Sequence, residues 1–194
     1  MAVITRSVDL AVVGANGGGW VTDLGAAIPA VPTAFDSTPD AAFHPLGAIS
    51  EDGLSYGFDE DSENYLAWGQ LTPYRSQITR SLRTFQATLW ETNRAIAKSV
   101  MFRLPVADVT PDGSGDYDFN ETATPTPDRR SWIFDVIDGP TLERFYVPQG
   151  EVTDRDDVAF KSDEIAGYNV TVTAYADSAG VTVYHLGHVE LASS

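Results

Sequence analysis

The densest group of chemically capable side chains is the run ISEDGLSYGFDEDSE, Ile49 to Glu63, with six acids in fifteen residues and no base. Crowded carboxylates can hold a divalent cation, share a proton as an acid–base pair, or keep another polyanion at a distance. Asp59, Glu60, Asp61 and Glu63 can bind a cation weakly, and solvated acids or a helix first turn explain them equally well. A second oxygen-rich stretch, Asp112-Gly113-Ser114-Gly115-Asp116-Tyr117-Asp118, alternates oxygens as a calcium loop does. Its sixth position is Tyr117 rather than glycine, and Ala123 stands where the twelfth-position glutamate belongs. It therefore reads as a flexible acidic loop.

Other signatures of chemistry are incomplete. The run LAVVGANGGG, Leu10 to Gly19, resembles a dinucleotide loop but lacks the second glycine of G-x-G. The stretch after it, WVTDLGAAIPAVP, is a poor helix and offers no N-terminus to a pyrophosphate. A turn between two short strands is the better account. His185 and His188 point to opposite faces of a strand, so they cannot chelate together; His44 is remote in sequence. There is no H-E-x-x-H and no G-x-S-x-G. Cysteine is absent, which excludes a thiol nucleophile, a disulfide scaffold and cysteine-bound zinc. Among 28 acids some pair reaches glycosidase spacing by chance. The sequon Asn169-Val170-Thr171 falls within a predicted strand, and MAVITRSVDL has no apolar signal core. No run is long and apolar enough for a membrane helix. Metal hydrolysis and an α/β-hydrolase therefore lack support, while a glycosidase-type pair of carboxylates stays open.

The formal net charge is −16, and it is segregated. From Ser7 to Tyr74 there are ten acids and no Lys or Arg. Arg75, Arg80, Arg83, Arg94, Lys98 and Arg103 follow, opposed only by Glu91, and then six acids without a base from Leu104 to Asp128. A broad basic grip on nucleic acid is excluded, because phosphate contacts need Lys and Arg. The segregation suits either an acidic soluble surface or opposite-charge patches that steer copies together.

The elements that must position these groups read mostly as strands. Trp132, Phe134 and Val136 alternate before Asp138-Gly139, and Leu142 to Val147 follows, a hairpin pattern. Tyr168, Val170, Val172 and Ala174 share a face, and Val181 and Val183 resume the alternation after a turn. Phe85, Ala87 and Leu89 mark a strand over residues 84–90. Ile49 and Leu54-Tyr56-Phe58 flank Glu51-Asp52-Gly53, a further hairpin candidate. One helix is predicted over Asn93 to Met101, capped by Thr92 or Asn93, and a shorter turn over Ser62 to Trp68, stopped by Gly69. The fold class is mainly β: an antiparallel sandwich or partly open barrel with one flanking helix. The whole chain, 1–194, is expected to be one domain with an N-terminal extended segment over about residues 1–45 and a long acidic loop over about 107–130.

Read in order, Gly25-x-x-Ile28-Pro29, Leu46-Gly47-x-Ile49-Ser50-Glu51-Asp52-Gly53, Ala67-Trp68-Gly69 and Leu89-Trp90-Glu91-Thr92-Asn93 resemble the major tail tube proteins of long, non-contractile-tailed bacteriophages, especially those infecting actinobacteria. The resemblance covers Val12 to Asn93 and, less closely, Trp132 to Ala176. It implies a β-sandwich protomer with a helix on its flank, a structural protein with no catalytic centre, no cofactor and no metal. Six copies form a ring, and rings stack head to tail into the tube through which DNA leaves the capsid without specific binding. The implied location is the virion tail, after assembly from the host cytoplasm. The implied partners are the protein itself, tail tip, tail terminator, tape measure and assembly chaperone.

On that reading, Arg75, Arg80 and Arg83 meet acids of a neighbouring copy, with Asp59, Glu60, Asp61 and Glu63 as partners; much of the negative charge lines a bore that repels DNA, and the Glu51-Asp52 turn either shares that role or contacts the next ring. The competing account is that the same pairs form within one chain. An alternative of another class is a monomeric acidic β-sandwich binding carbohydrate or calcium, with Trp68, Trp90 or Trp132 as a stacking platform; those tryptophans are otherwise expected to fill the core.

Overall fold

Period-two alternation becomes one sheet of eight strands, as seen in a computed structural model that describes residues 11–124 and 126–189. The strands are β1 (Asn16–Thr22), β2 (Phe43–Pro45), β3 (Ile49–Tyr65), β4 (Arg75–Leu89), β5 (Arg129–Asp138), β6 (Thr141–Arg155), β7 (Tyr168–Tyr175) and β8 (Tyr184–His188). Two helices, α1 (Ala95–Phe102) and α2 (Val106–Val109), follow β4. The sheet is antiparallel throughout, in the order β2-β1-β5-β6-β7-β4-β3, with β8 alongside the first part of β6. Its two ends, β2 and β3, do not pair with each other, so the sheet stays open.

The main core lies on one face. Phe85, Trp132, Phe134, Phe145, Val147 and Val172 pack there against Ile96, Ala97 and Val100 of α1. On the opposite face Ile133 and Tyr146 pack with Phe43. The chain between β1 and β2 crosses that second face, for the Tyr146 hydroxyl donates to the Pro29 carbonyl (2.6 Å) and Arg144 donates to the Ser37 carbonyl. Cover on both faces explains why every residue from Arg130 to Asp135 is buried. Four of the buried charges form two forked ion pairs, Arg130 with Asp128 and Arg144 with Asp135.

The β5–β6 hairpin forms where the alternation predicted it, with Gly139 at φ 56 supplying the left-handed residue of the tight turn. Elsewhere the structure corrects the reading. Glu51-Asp52-Gly53 is not a hairpin turn: β3 runs straight through it with a register shift between Ile49 and Leu54, because Gly53 at φ 70 accommodates a bulge without reversing the chain. Ser62 to Tyr65 is strand rather than helical turn, and the reversal comes at residues 66–74, with Gly69 at φ 81. The triple glycine lies inside β1. A Cβ on Gly17 would meet the Asp135 carbonyl at 2.5 Å, so the glycines permit close approach to β5. Val181 and Val183 precede β8 instead of belonging to it. The N-cap of α1 is Arg94, without a side-chain cap; Asn93 instead accepts from Lys98 Nζ at 3.0 Å. The four-residue α2 was not anticipated. Residues 1–10 of the expected extended segment lie outside the described residues; β1 and β2 fall within the rest of it.

Candidate assembly interface

β4 pairs β7 only from Arg83 to Leu89, whereas it pairs β3 all the way to Arg75. Past the Phe58–Arg83 rung, the two strands therefore leave the sheet as a ribbon. Seven residues of β3, Asp59 to Tyr65, carry it about 23 Å outward at 3.3 Å per residue. Every residue from Phe58 to Ser81 is exposed except the half-buried Ala67. A ribbon of this kind has β propensity and cross-strand pairs to hold it, but no core of its own.

Those pairs involve the predicted acids and arginines. Arg80 meets Asp59 at 2.7 Å and Asp61 at 3.3 Å, its register partner. On the opposite face Arg83 meets Glu60 at 3.0 Å and lies over the Phe58 ring at 4.8 Å. The Glu60 carboxyl sits below the ordinary glutamate pKa, chiefly because the Ser81 hydroxyl and then Arg83 donate to it. The competing account is thus realised in the protomer for five of the nine predicted residues. Glu63, opposite Gln77, accepts from the Tyr65 hydroxyl at 3.0 Å, and Arg75 stands opposite Tyr65 where the ribbon meets its tip. Glu51 and Asp52 are elsewhere. They flank a cleft of about 600 Å³ between the start of β3 and Gly14 to Gly18 of the β1 region.

The tip, residues 66–74, is what sequence reasoning missed. Leu66, Trp68, Leu71 and Tyr74 are all exposed there; Trp68 and Leu71 are essentially bare, at 105% and 98% relative exposure. Tyr65 and Ile78 extend the apolar surface down the ribbon. Trp68 is therefore not a core residue, while Trp132 is, at 1%. The usable signal was Leu66-Ala67-Trp68-Gly69-Gln70-Leu71, an apolar run that no period-two strand absorbs. The three tryptophans of the stacking platform do not share a place: Trp132 is buried on β5, Trp68 lies at the tip, and Trp90 follows β4.

The acidic loop is also organised. Asp112 Oδ1 accepts from the backbone N–H groups of Ser114 (2.7 Å) and Asp116 (3.0 Å), so its carboxylate closes a local turn. Phe119 packs on Phe102 of α1, and Lys98 lies over Tyr117 at 4.1 Å.

An open sheet whose β3 edge is unpaired among the described residues, with an apolar-tipped ribbon, is a protomer shaped for contact with other chains. The family of phage tail tube proteins matches residues 5–188 of this chain. The chain belongs to that family. A phage tail tube protein is a structural component of the virion tail, not an enzyme, and the family implies self-polymerisation. No curated protein matches the chain.

Proposed function

We propose that this tail tube protein polymerises as stacked hexameric rings, with the β3–β4 ribbon as the element that reaches a neighbouring copy. The observation carrying this is the ribbon itself: a two-stranded projection whose tip exposes Leu66, Trp68, Leu71 and Tyr74. Such a surface costs solubility in a monomer and gains by burial between copies. The free edge of β3 serves the ring: pairing it with the opposite end of the next sheet continues the strands around a channel. Contacts around the axis close; contacts along it do not, and the tube grows. Arg75, Glu63, Glu51 and Asp52 are candidate contacts between copies, as are Arg80, Arg83, Asp59, Glu60 and Asp61 once their pairs rearrange.

The charge has a role in this reading. DNA carries about one negative charge per 1.7 Å of axis. A basic lumen would bind it at many phosphates, whereas an acidic one repels it weakly everywhere, so no position is a trap. The resemblance of its motifs supports reading the tube as that of a long, non-contractile tail, with tail tip, terminator, tape measure and chaperone as expected partners.

Negative-stain microscopy of purified protein tests the proposal. Rings or tubes of uniform width are expected, and a variant with residues 66–74 replaced by a two-residue Asn-Gly turn is expected to stay as folded protomers. Tubes that form equally well without the tip would overturn the role of the ribbon. Deleting Thr110 to Pro127 tests the acidic loop as the rival bridge between rings.

A further inference from the structure

Three arginines of the sheet present the same edge of the guanidinium, Nε together with Nη2. In Arg130 that edge holds Asp128, at 2.6 and 2.8 Å. In Arg144 it holds Asp135, at 2.7 Å for both bonds. In Arg155 the same two atoms are shielded from solvent and have no hydrogen-bond partner among the described residues. Arg155 ends β6, opposite Val170. Arg103, at the close of α1, stands beside it: its Nη2 donates to the Val152 carbonyl at 2.9 Å, and its Nε is likewise buried and unpartnered.

Asp128, Glu151 and Asp154 act on Arg155 through space, but none of them hydrogen-bonds its fork. Asp128 is taken by Arg130, Glu151 faces Arg129 at 3.8 Å, and Asp154 Oδ1 accepts the backbone N–H of Arg155. Burial, followed by the proximity of Arg103, holds the Arg155 pKa below its ordinary value. A guanidinium remains charged even so. A shielded cation with an unsatisfied fork is unfavourable, and the group that relieves it is planar, anionic and bidentate. In this chain that group is twice a carboxylate.

We propose that Arg155, backed by Arg103, receives a carboxylate from a neighbouring copy of the chain. This rests on the self-assembly reading above. The chain carries a net charge of −16, and Asp116, Asp118 and Glu121 stand exposed in its acidic loop, so a second copy brings carboxylates in excess. Docking one on Arg155, whose fork turns out of its shielded position to meet it, offsets one of two adjacent like charges and gives the fork a specific contact.

Two measurements on the full chain test this. Arg155→Met removes the fork and keeps the aliphatic length. The protomer is expected to melt no lower than the wild type, because an unpaired buried charge is gone, while assembly falls by about tenfold or more. Arg155→Lys, which keeps the charge and loses the fork, is expected to restore assembly only in part. Assembly unchanged in Arg155→Met would overturn the proposal. Separately, the Arg155 Nε–H resonance of dilute wild-type protein is followed during titration with glutarate. A saturable shift that sodium chloride of equal ionic strength does not reproduce is expected, and its absence overturns the proposal even if the Met variant fails to fold. A shift produced by a DNA oligonucleotide but not by glutarate would make the site a phosphate receptor and overturn it too. If the wild type forms no tubes, the self-assembly reading fails, and the glutarate titration still decides whether the fork takes a carboxylate.

Discussion

Between Leu54 and Phe58, β3 sets Tyr56 against Phe85 and Phe145, with ring centroids 4.5 and 5.3 Å apart. Between Asp59 and Tyr65 the same strand meets only β4, through exposed ion pairs and backbone hydrogen bonds. The strand is continuous across the two regions. What changes is β7, which flanks β4 up to Arg83 and then stops. A third strand gives one half a core, and its absence leaves the other half a surface. Stability should therefore reside in the inner half and association in the outer half.

Four variants break or sharpen that comparison. Phe85→Ala removes a ring from the middle of the aromatic cluster and should cost about 3–5 kcal/mol of folding free energy, read by denaturant unfolding. Gly150→Ala puts a Cβ 2.6 Å from the Trp132 ring and 2.8 Å from Val172, and overpacking there should cost about 1–3 kcal/mol by the same measurement. If either change left stability intact, the inner half would not be the seat of the fold. Arg80→Glu with Arg83→Glu sets like charges against Asp59, Asp61 and Glu60, so the ribbon should loosen while the sheet survives. Faster amide exchange is expected from Asp59 to Leu82, with protection of β5 to β7 unchanged and polymerisation impaired. Trp68→Ser with Leu71→Ser should move folding stability by only about 0.5 kcal/mol in either direction, since both side chains are bare, yet abolish tubes in the microscope. A large fall in stability would show that the tip folds back onto its own protomer.

The smallest expected effect concerns pH. Glu91 accepts from the Ala48 N–H at 2.8 Å and pairs with Arg94, and the backbone bond, then Arg94, lowers its pKa in the folded state. A depressed carboxyl pKa contributes stability above the unfolded-state value, and that contribution is lost as pH falls through the folded-state value. Glu91→Gln should therefore flatten the dependence of Tm on pH below about 4.5, and leave Tm near neutrality slightly lower. An unchanged slope would remove Glu91 as the link between β3 and α1.

Legibility of the sequence followed the number of residues that had to agree. Trp132, Phe134 and Val136, or Tyr168, Val170, Val172 and Ala174, each repeat one decision several times along a strand, so β5 and β7 could be placed from pattern alone. Single residues misled. Gly53 and Gly69 both occupy positive φ, yet one marks a bulge and the other a reversal. That difference depends on which strand lies alongside, and β4 is more than twenty residues away. That Asp59, Glu60 and Asp61 can partner Arg80 and Arg83 is legible in the sequence, because opposite charge is a composition-level fact. Whether a pair forms within a protomer or across two is decided by register.

The sequence by itself determined a β-rich, cysteine-free, strongly acidic chain of the tail tube type, because period, composition and motif order are local or additive properties. Only the tertiary structure decided that Trp68 is bare while Trp132 is buried, that the acidic run is the stem of a projecting ribbon, and that the Arg155 fork is shielded without a partner among the described residues. Burial and hydrogen-bond satisfaction depend on neighbours distant in sequence, and the chain specifies those neighbours only through the fold as a whole.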